Sequence, residues 1–169
     1  AAGFHFDVEP PSVDEARRPG EPADRYCERL ACEKAEAVSG RAGTRVVVAA
    51  DTVVAVDDAV FGKPVDALEA MRMLAALSGR QHQVLTGVAA AARGRVLSAV
   101  ERTDVTFTRL TDEEMAWYVA SGEPMDKAGA YAIQGLASLF VARIDGSYSN
   151  VVGLPIATVY RLVRDVDPR

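Results

Sequence analysis

The sequence predicts a single α/β domain over residues 1–169, with a mixed central sheet flanked by helices. Three observations carry that expectation. The continuous apolar run Val46 to Ala50 has the form of a central strand covered on both faces. Stretches of helical period alternate with stretches of extended period along the chain. A length of 169 residues, 49% of them hydrophobic, suits one proper core, whereas two independent domains would be cramped.

The elements follow in order. Phe4, Phe6 and Val8 alternate with polar neighbours as a short strand does, and Pro10-Pro11 ends it. Ser12 to Gly20 reads as a charged loop. Pro22 opens a helix in which Tyr26, Leu30, Ala31, Ala35 and Val38 recur at helical spacing until Gly40. After the run at Val46, Thr52 to Val56 continues as a second extended stretch, and Asp57-Asp58 supplies a turn. Asp66 with Glu69 forms a capping box for a helix through Leu77, closed by Ser78-Gly79. Gln83 to Ala91 and Arg95 to Thr108 read as two long strands joined in a hairpin at Arg93-Gly94. Thr111 with Glu114 caps the next helix, which carries Met115, Tyr118 and Val119 and stops at Ser121-Gly122 and Pro124. Beyond the Gly-rich Asp126 to Gly135 comes a strand, Ser138 to Ile144. Pro155 then opens a last helix through Val163, with Ile156, Val159, Tyr160 and Val163 on one face. In such folds ligands gather at strand ends and the loops that follow them.

Composition narrows the function. No apolar stretch reaches the roughly 18 residues of a membrane helix, because Asp51, Asp57 and Asp58 interrupt Val46 to Val60. The N-terminus has neither a basic n-region nor an apolar h-region, so the expectation is a cytoplasmic protein. Cys27 and Cys32 lie five apart, about 140° round a helix, and diverge, which argues against a disulfide and suits a reducing compartment. A net charge of -5 without a basic run gives polymeric nucleic acid nothing to bind, while a small anion held by a local cluster stays open. Of 19 basic residues only Lys34, Lys63 and Lys127 are lysines. A chain that writes its cations as Arg keeps Lys where a compact, flexible point charge is useful.

Those lysines and one carboxylate are the chemical candidates. Lys34 falls on or beside the apolar stripe of its helix, either as a snorkelling side chain or as an ammonium aimed into a cleft. Asp51 ends five apolar residues and is either a turn residue or a carboxylate held by partners, able to hold a divalent cation or take a proton from water. Lys63 stands in Phe61-Gly62-Lys63-Pro64, where Gly permits close approach and Pro fixes the exit; a plain surface turn is the alternative. One carboxylate and two lysines on strand-end loops suit phosphoryl or nucleotidyl chemistry. A P-loop, a G-x-G-x-x-G turn, an H-E-x-x-H helix and a G-x-S-x-G elbow are all missing from the sequence. His5 and His82 are too few for a His-based metal site.

The blocks around these residues carry a resemblance. Leu30-Ala31-(x)2-Lys34-Ala35, Ala50-Asp51-Thr52-Val53-Val54, Gly62-Lys63-Pro64, and Ser78-Gly79-Arg80-Gln81-His82-Gln83-Val84-(x)-Thr86-Gly87 come first. Asp126 to Gly135 (DKAGAYAIQG) and Gly146-Ser147-Tyr148-(x)2-Val151-Val152-Gly153-Leu154-Pro155 follow. In this order they resemble the Maf family of nucleotide pyrophosphatases over nearly the whole chain. The resemblance implies a Maf-like, ITPase-like fold and hydrolysis of a nucleoside triphosphate to monophosphate and pyrophosphate. It further implies a divalent metal cation, Mg²⁺ or Mn²⁺, a homodimer, and a role in clearing nucleotides or restraining septum formation.

By resemblance, Asp51 matches the catalytic carboxylate, Lys34 and Lys63 match the phosphate-side lysines, and Glu15 matches an acidic residue placed to help with metal or water. Arg80 and Lys127 fall in matching blocks as further substrate-binding positions. Thr52 and Gln134 match positions tied to base selection, and Lys127 to Gly135 is similar to the branch acting on dTTP and UTP rather than on 7-methyl-GTP. An amide suits that task, because its donor and acceptor are both left unpaired by the wrong base. The cleft is expected between the Asp51 and Lys63 loops on one side and the Lys127 to Gln134 block on the other. Family members begin with a strand and a turn resembling S-x-S-P-R-R that grips the triphosphate. The present sequence starts after it, Arg17-Arg18 is no substitute, and a fragment or misassigned start is the expected reason. The other readings are a pyrophosphatase for purine analogues such as ITP, or a nucleotide-binding protein inactive for want of that clamp.

Overall fold

A computed structural model describes residue 3 and residues 5–168. Five strands form one sheet in the order β2-β1-β3-β4-β5: β1 Val47–Val56, β2 Ala59–Phe61, β3 Gln81–Ala92, β4 Arg95–Phe107 and β5 Val141–Asp145. The helices are α1 Ala23–Ser39, α2 Ala67–Leu77, α3 Asp112–Ala120, α4 Tyr148–Val151 and α5 Ile156–Val166. The expected α/β class with a helix-flanked sheet is what the chain adopts. It divides into two compact units, one of residues 1–51, 86–101 and 154–169, the other of residues 52–85 and 102–153.

In the first unit strand alternation sorts small apolar side chains onto two helices. Val47, Ala49, Ala89, Ala91 and Val96 pack with Ala31, Cys32 and Ala35 of α1. Val46, Ala50, Val88, Ala90, Ala92, Leu97 and Ala99 pack with Val159, Leu162, Val163 and Val166 of α5. Alanine lets helix and sheet approach closely. At Gly87 the approach is closer still, since a Cβ there would lie 2.2 Å from the carbonyl oxygen of Cys27.

The second unit has a larger core. Met73, Leu74 and Leu77 of α2, Met115 and Tyr118 of α3, and Val84, Val105, Phe107, Tyr131 and Phe140 bury together. Its rings meet edge to face: His82 with Phe107 and Tyr131, and Tyr118 with Phe140 at 5.4 Å. The β1–β2 pair is antiparallel with Val56 opposite Ala59, turning on Asp57 at φ 50°. The β4–β5 pair is antiparallel too, with a register shift at Thr106/Phe107.

Local signals held where they had a mechanism. The Thr111–Glu114 capping box is complete on both sides. Asp66 accepts from the Glu69 amide, but the Glu69 carboxylate reaches one residue further back, to Val65 N at 2.7 Å. Arg93 and Gly94 both take positive φ, which the twist of a two-residue hairpin favours. Cys27 is buried, Cys32 partly exposed, and both thiols are free.

Four expectations are corrected. No strand forms over His5 to Val8, and Phe6 and Val8 are exposed with no sheet to cover one of their faces; Phe4 lies outside the described residues. Val46 to Ala50 is not buried on both faces, since Val48 is exposed, and the run does not stop at Ala50. Residues Ser138 to Phe140 belong to a 3-10 turn, Leu136–Phe140, with the strand beginning only at Val141. On α5 the buried face is Val159, Leu162 and Val166, whereas Tyr160 faces solvent. No helix among the described residues is long and apolar enough to cross a membrane.

Candidate active site

Asp51 is the fifth residue of the ten in β1, not its end. Strand alternation puts it on the face of Val47 and Ala49, the face that α1 covers. Lys34 precedes the buried Ala35 on α1 by one residue and meets it there: Nζ donates to Asp51 Oδ1 at 2.6 Å, and both side chains are 14% exposed. The same ammonium lies 2.7 Å from Glu15 Oε1, whose side chain stays largely exposed. Lys34 is therefore neither a snorkelling stem nor a free cation, but the bridge between two carboxylates. Burial works against its charge most strongly, yet the hydrogen bonds to Asp51 and Glu15 outweigh burial, and its pKa rises above the ordinary lysine value.

Glu15 sits in a loop with its own fastenings, none of which stood out in the sequence. Tyr26 Oη donates to the Glu15 carbonyl at 2.8 Å, and Arg29 donates to the Ala16 carbonyl at 3.1 Å. Arg29 also holds Glu21 at 2.7 and 2.8 Å, which lowers the Glu21 pKa to about 2, and it reaches Glu33 as well. The available signal was helical spacing: Tyr26, Arg29 and Glu33 fall three and four apart, and a face with that much polarity has something to hold.

The second unit gathers the remaining candidates. Lys63 is exposed and forms no ion pair among the described residues. Its loop is tied to the Asp126 to Gly135 block by Gly129 N donating to the Gly62 carbonyl at 3.0 Å. Lys127 pairs with Asp126 at 2.9 Å; its ammonium holds that carboxyl below the usual range, and the Lys63 charge adds to the effect. Gln134 is exposed on the turn that follows. Thr52 Oγ1 donates to the Gly153 carbonyl at 3.4 Å. Arg80 is engaged elsewhere, in an exposed pair with Asp57 at 2.7 and 2.8 Å.

Asn150 is a buried anchor the sequence did not single out. Its Nδ2 donates to Val84 O and Thr103 Oγ1, both at 3.0 Å, fixing α4 to the sheet ahead of Gly153. Among the described residues no group of three or more His, Cys, Asp or Glu side chains could hold a metal ion. Asp51 and Glu15 nonetheless converge on one cation, the Lys34 ammonium.

Residues 1–166 match the family described as Maf-like protein. The dTTP/UTP pyrophosphatase of Anaeromyxobacter dehalogenans is 54% identical over 166 residues, covering 96% of this chain and 84% of the relative. The dTTP/UTP pyrophosphatase of Shigella dysenteriae is 51% identical over 162 residues, 95% of this chain and 82% of its own length. That of Chromobacterium violaceum is 52% identical over 159 residues, 91% and 80% of the two chains. With the six sequence blocks and the helix-flanked sheet already in place, a match of this extent settles the ancestry, and the chain belongs to the Maf-like protein family.

Proposed function

We propose that this chain hydrolyses dTTP and UTP to the nucleoside monophosphate and pyrophosphate. The observation that carries the reading is the Glu15–Lys34–Asp51 bridge, an ionisable cluster built on a mid-strand carboxylate that no packing need explains. The names of three relatives at 51–54% identity support the choice of substrate.

In the reaction, Asp51 accepts a proton from water as its oxygen bonds to the α-phosphorus, and the bond from that phosphorus to the bridging oxygen breaks, releasing pyrophosphate. Lys34 keeps Asp51 ionised and aimed. Lys63 and Lys127 are the compact cations that neutralise the phosphate oxygens, in place of the Lys34 that the resemblance paired with Lys63, because Lys34 is engaged by Asp51 and Glu15. Thr52 and Gln134 read the base edge, and Arg80 joins them only if it leaves Asp57. Asp51 and Glu15 would hold a divalent cation, Mg²⁺ or Mn²⁺: two hard carboxylates that already converge on a positive charge fit it, and substrate phosphates would complete its shell. Such an ion, when bound, supplies charge neutralisation at the phosphates.

The test is product identity on a nucleotide panel with the full-length protein. Pyrophosphate released from dTTP and UTP, with slower release from ITP, is the expected result. Release of orthophosphate, or ITP as the preferred substrate, would contradict it.

A further inference from the structure

We propose that Tyr118 and Glu123 form a positioning pair that fixes Gln134 and thereby sets nucleobase selectivity, an inference that rests on Gln134 being a base-reading side chain. Tyr118, in the last turn of α3, is fully buried. Its Oη donates to Glu123 Oε1 at 2.9 Å and accepts from Ala132 N at 3.1 Å. Glu123 Oε2 accepts from Leu136 N at 3.0 Å, and Oε1 receives a longer bond from Ala137 N at 3.4 Å. The backbone is therefore pinned on both sides of Gln134, two residues before it and two and three residues after it. Gly135 N closes the turn on the Ala132 carbonyl at 3.0 Å.

Glycine at position 135 leaves room for the carboxylate beside Gln134, since a Cβ there would lie 2.2 Å from Glu123 Oε2 as it is placed. Glu123 is itself set by Ser121 Oγ, which accepts from its amide at 3.2 Å, and by the buried Pro124 that follows. The Gln134 amide takes no part: it is exposed and makes no hydrogen bond among the described residues. Rigid neighbours beneath an open amide are what discrimination by hydrogen bonding needs, because a donor and acceptor that could swing would satisfy several base edges equally.

A pair that merely helped the chain fold would not touch selectivity, and the experiment separates the two. Tyr118→Phe keeps the ring and removes the hydroxyl; Glu123→Gln puts a donor where backbone donors point. In the full-length protein, steady-state pyrophosphate release from dTTP, UTP, CTP and GTP is measured beside amide hydrogen exchange at residues 132, 136 and 137. For Tyr118→Phe we expect KM for dTTP and UTP to rise about fivefold or more with kcat within about twofold. Preference over CTP and GTP should shrink by a similar factor, and the three amides should exchange faster. Faster exchange with preference unchanged overturns the proposal, and so does exchange that stays as slow as in the unaltered protein. A parent protein with no preference among the four nucleotides would instead sink the base-reading role of Gln134. If Glu123→Gln does not fold, Tyr118→Phe decides alone.

Discussion

A carboxylate in the middle of a strand loses much of its water, and Asp51 offsets that loss with the Lys34 ammonium at 2.6 Å and, through it, a link to Glu15. Replacing Lys34 by methionine leaves two acids without their cation. The expected cost is about 1–3 kcal/mol in urea denaturation, with part regained when Asp51→Asn is added, because the pair is coupled. His82 gives a second residue-scale effect. Buried between Phe107 and Tyr131, it has its pKa pushed down to about 4 by loss of water, against the opposing pull of the Arg80 backbone and the Asp104 carboxylate. The unfolded chain takes up a proton near pH 6.5 and the folded one only near 4, so stability should fall as pH drops through that window, by about 3 kcal/mol in all. His82→Asn, measured by denaturation across the same pH range, should lack that part of the slope. Of the site residues, Asp51 and Lys34 could be singled out from the sequence because charge interrupts an apolar pattern there, and Lys63 because Gly62 and Pro64 flank it. Tyr26 and Arg29 left only the polar helical spacing with Glu33 as a signal, while Tyr118 and Asn150 left none, since they hold groups well apart from them in the chain such as Ala132 N and Val84 O.

At the scale of elements, signals that act through near neighbours were legible. Both helix caps and the Arg93-Gly94 hairpin are set by residues within three or four positions of one another. Alternation alone misled at Phe6 and Val8, because a strand needs a partner to pair with and the sequence does not name one. The strand expected from Ser138 began too early, because the turns Glu123 fastens continue through Leu136. On α5 a one-residue rotation of the stripe exchanged Tyr160 for Leu162, since both choices keep helical spacing. At Gly87 of β3 the Cys27 backbone of α1 leaves no room for a Cβ. Gly87→Ala should destabilise by about 1–3 kcal/mol or more, read as a lowered urea midpoint, because backbone cannot move aside as a flexible side-chain tip can. Ala89→Gly, at a position that faces α1 without that overlap, is the comparison for a mere change of size.

For the whole molecule, the α/β class followed from an apolar run and an alternation of periods, while three of the four divisions between the two units, at Asp51/Thr52, Leu85/Thr86 and Glu101/Arg102, did not; the fourth, Gly153/Leu154, lies in the Gly-Leu-Pro loop between α4 and α5. Each of those three falls inside one continuous strand, where no Pro, Gly or polar linker marks a boundary. Family membership was legible because its blocks hold all three lysines and the Asp51 run in fixed order. The central claim is that Asp51 is the base of a nucleotide pyrophosphatase, and the most direct test is pyrophosphate release from dTTP by the full-length Asp51→Asn protein. Loss of roughly 10²–10⁴ in kcat, with the fold intact by circular dichroism, is the predicted result. Full activity in Asp51→Asn would contradict the account.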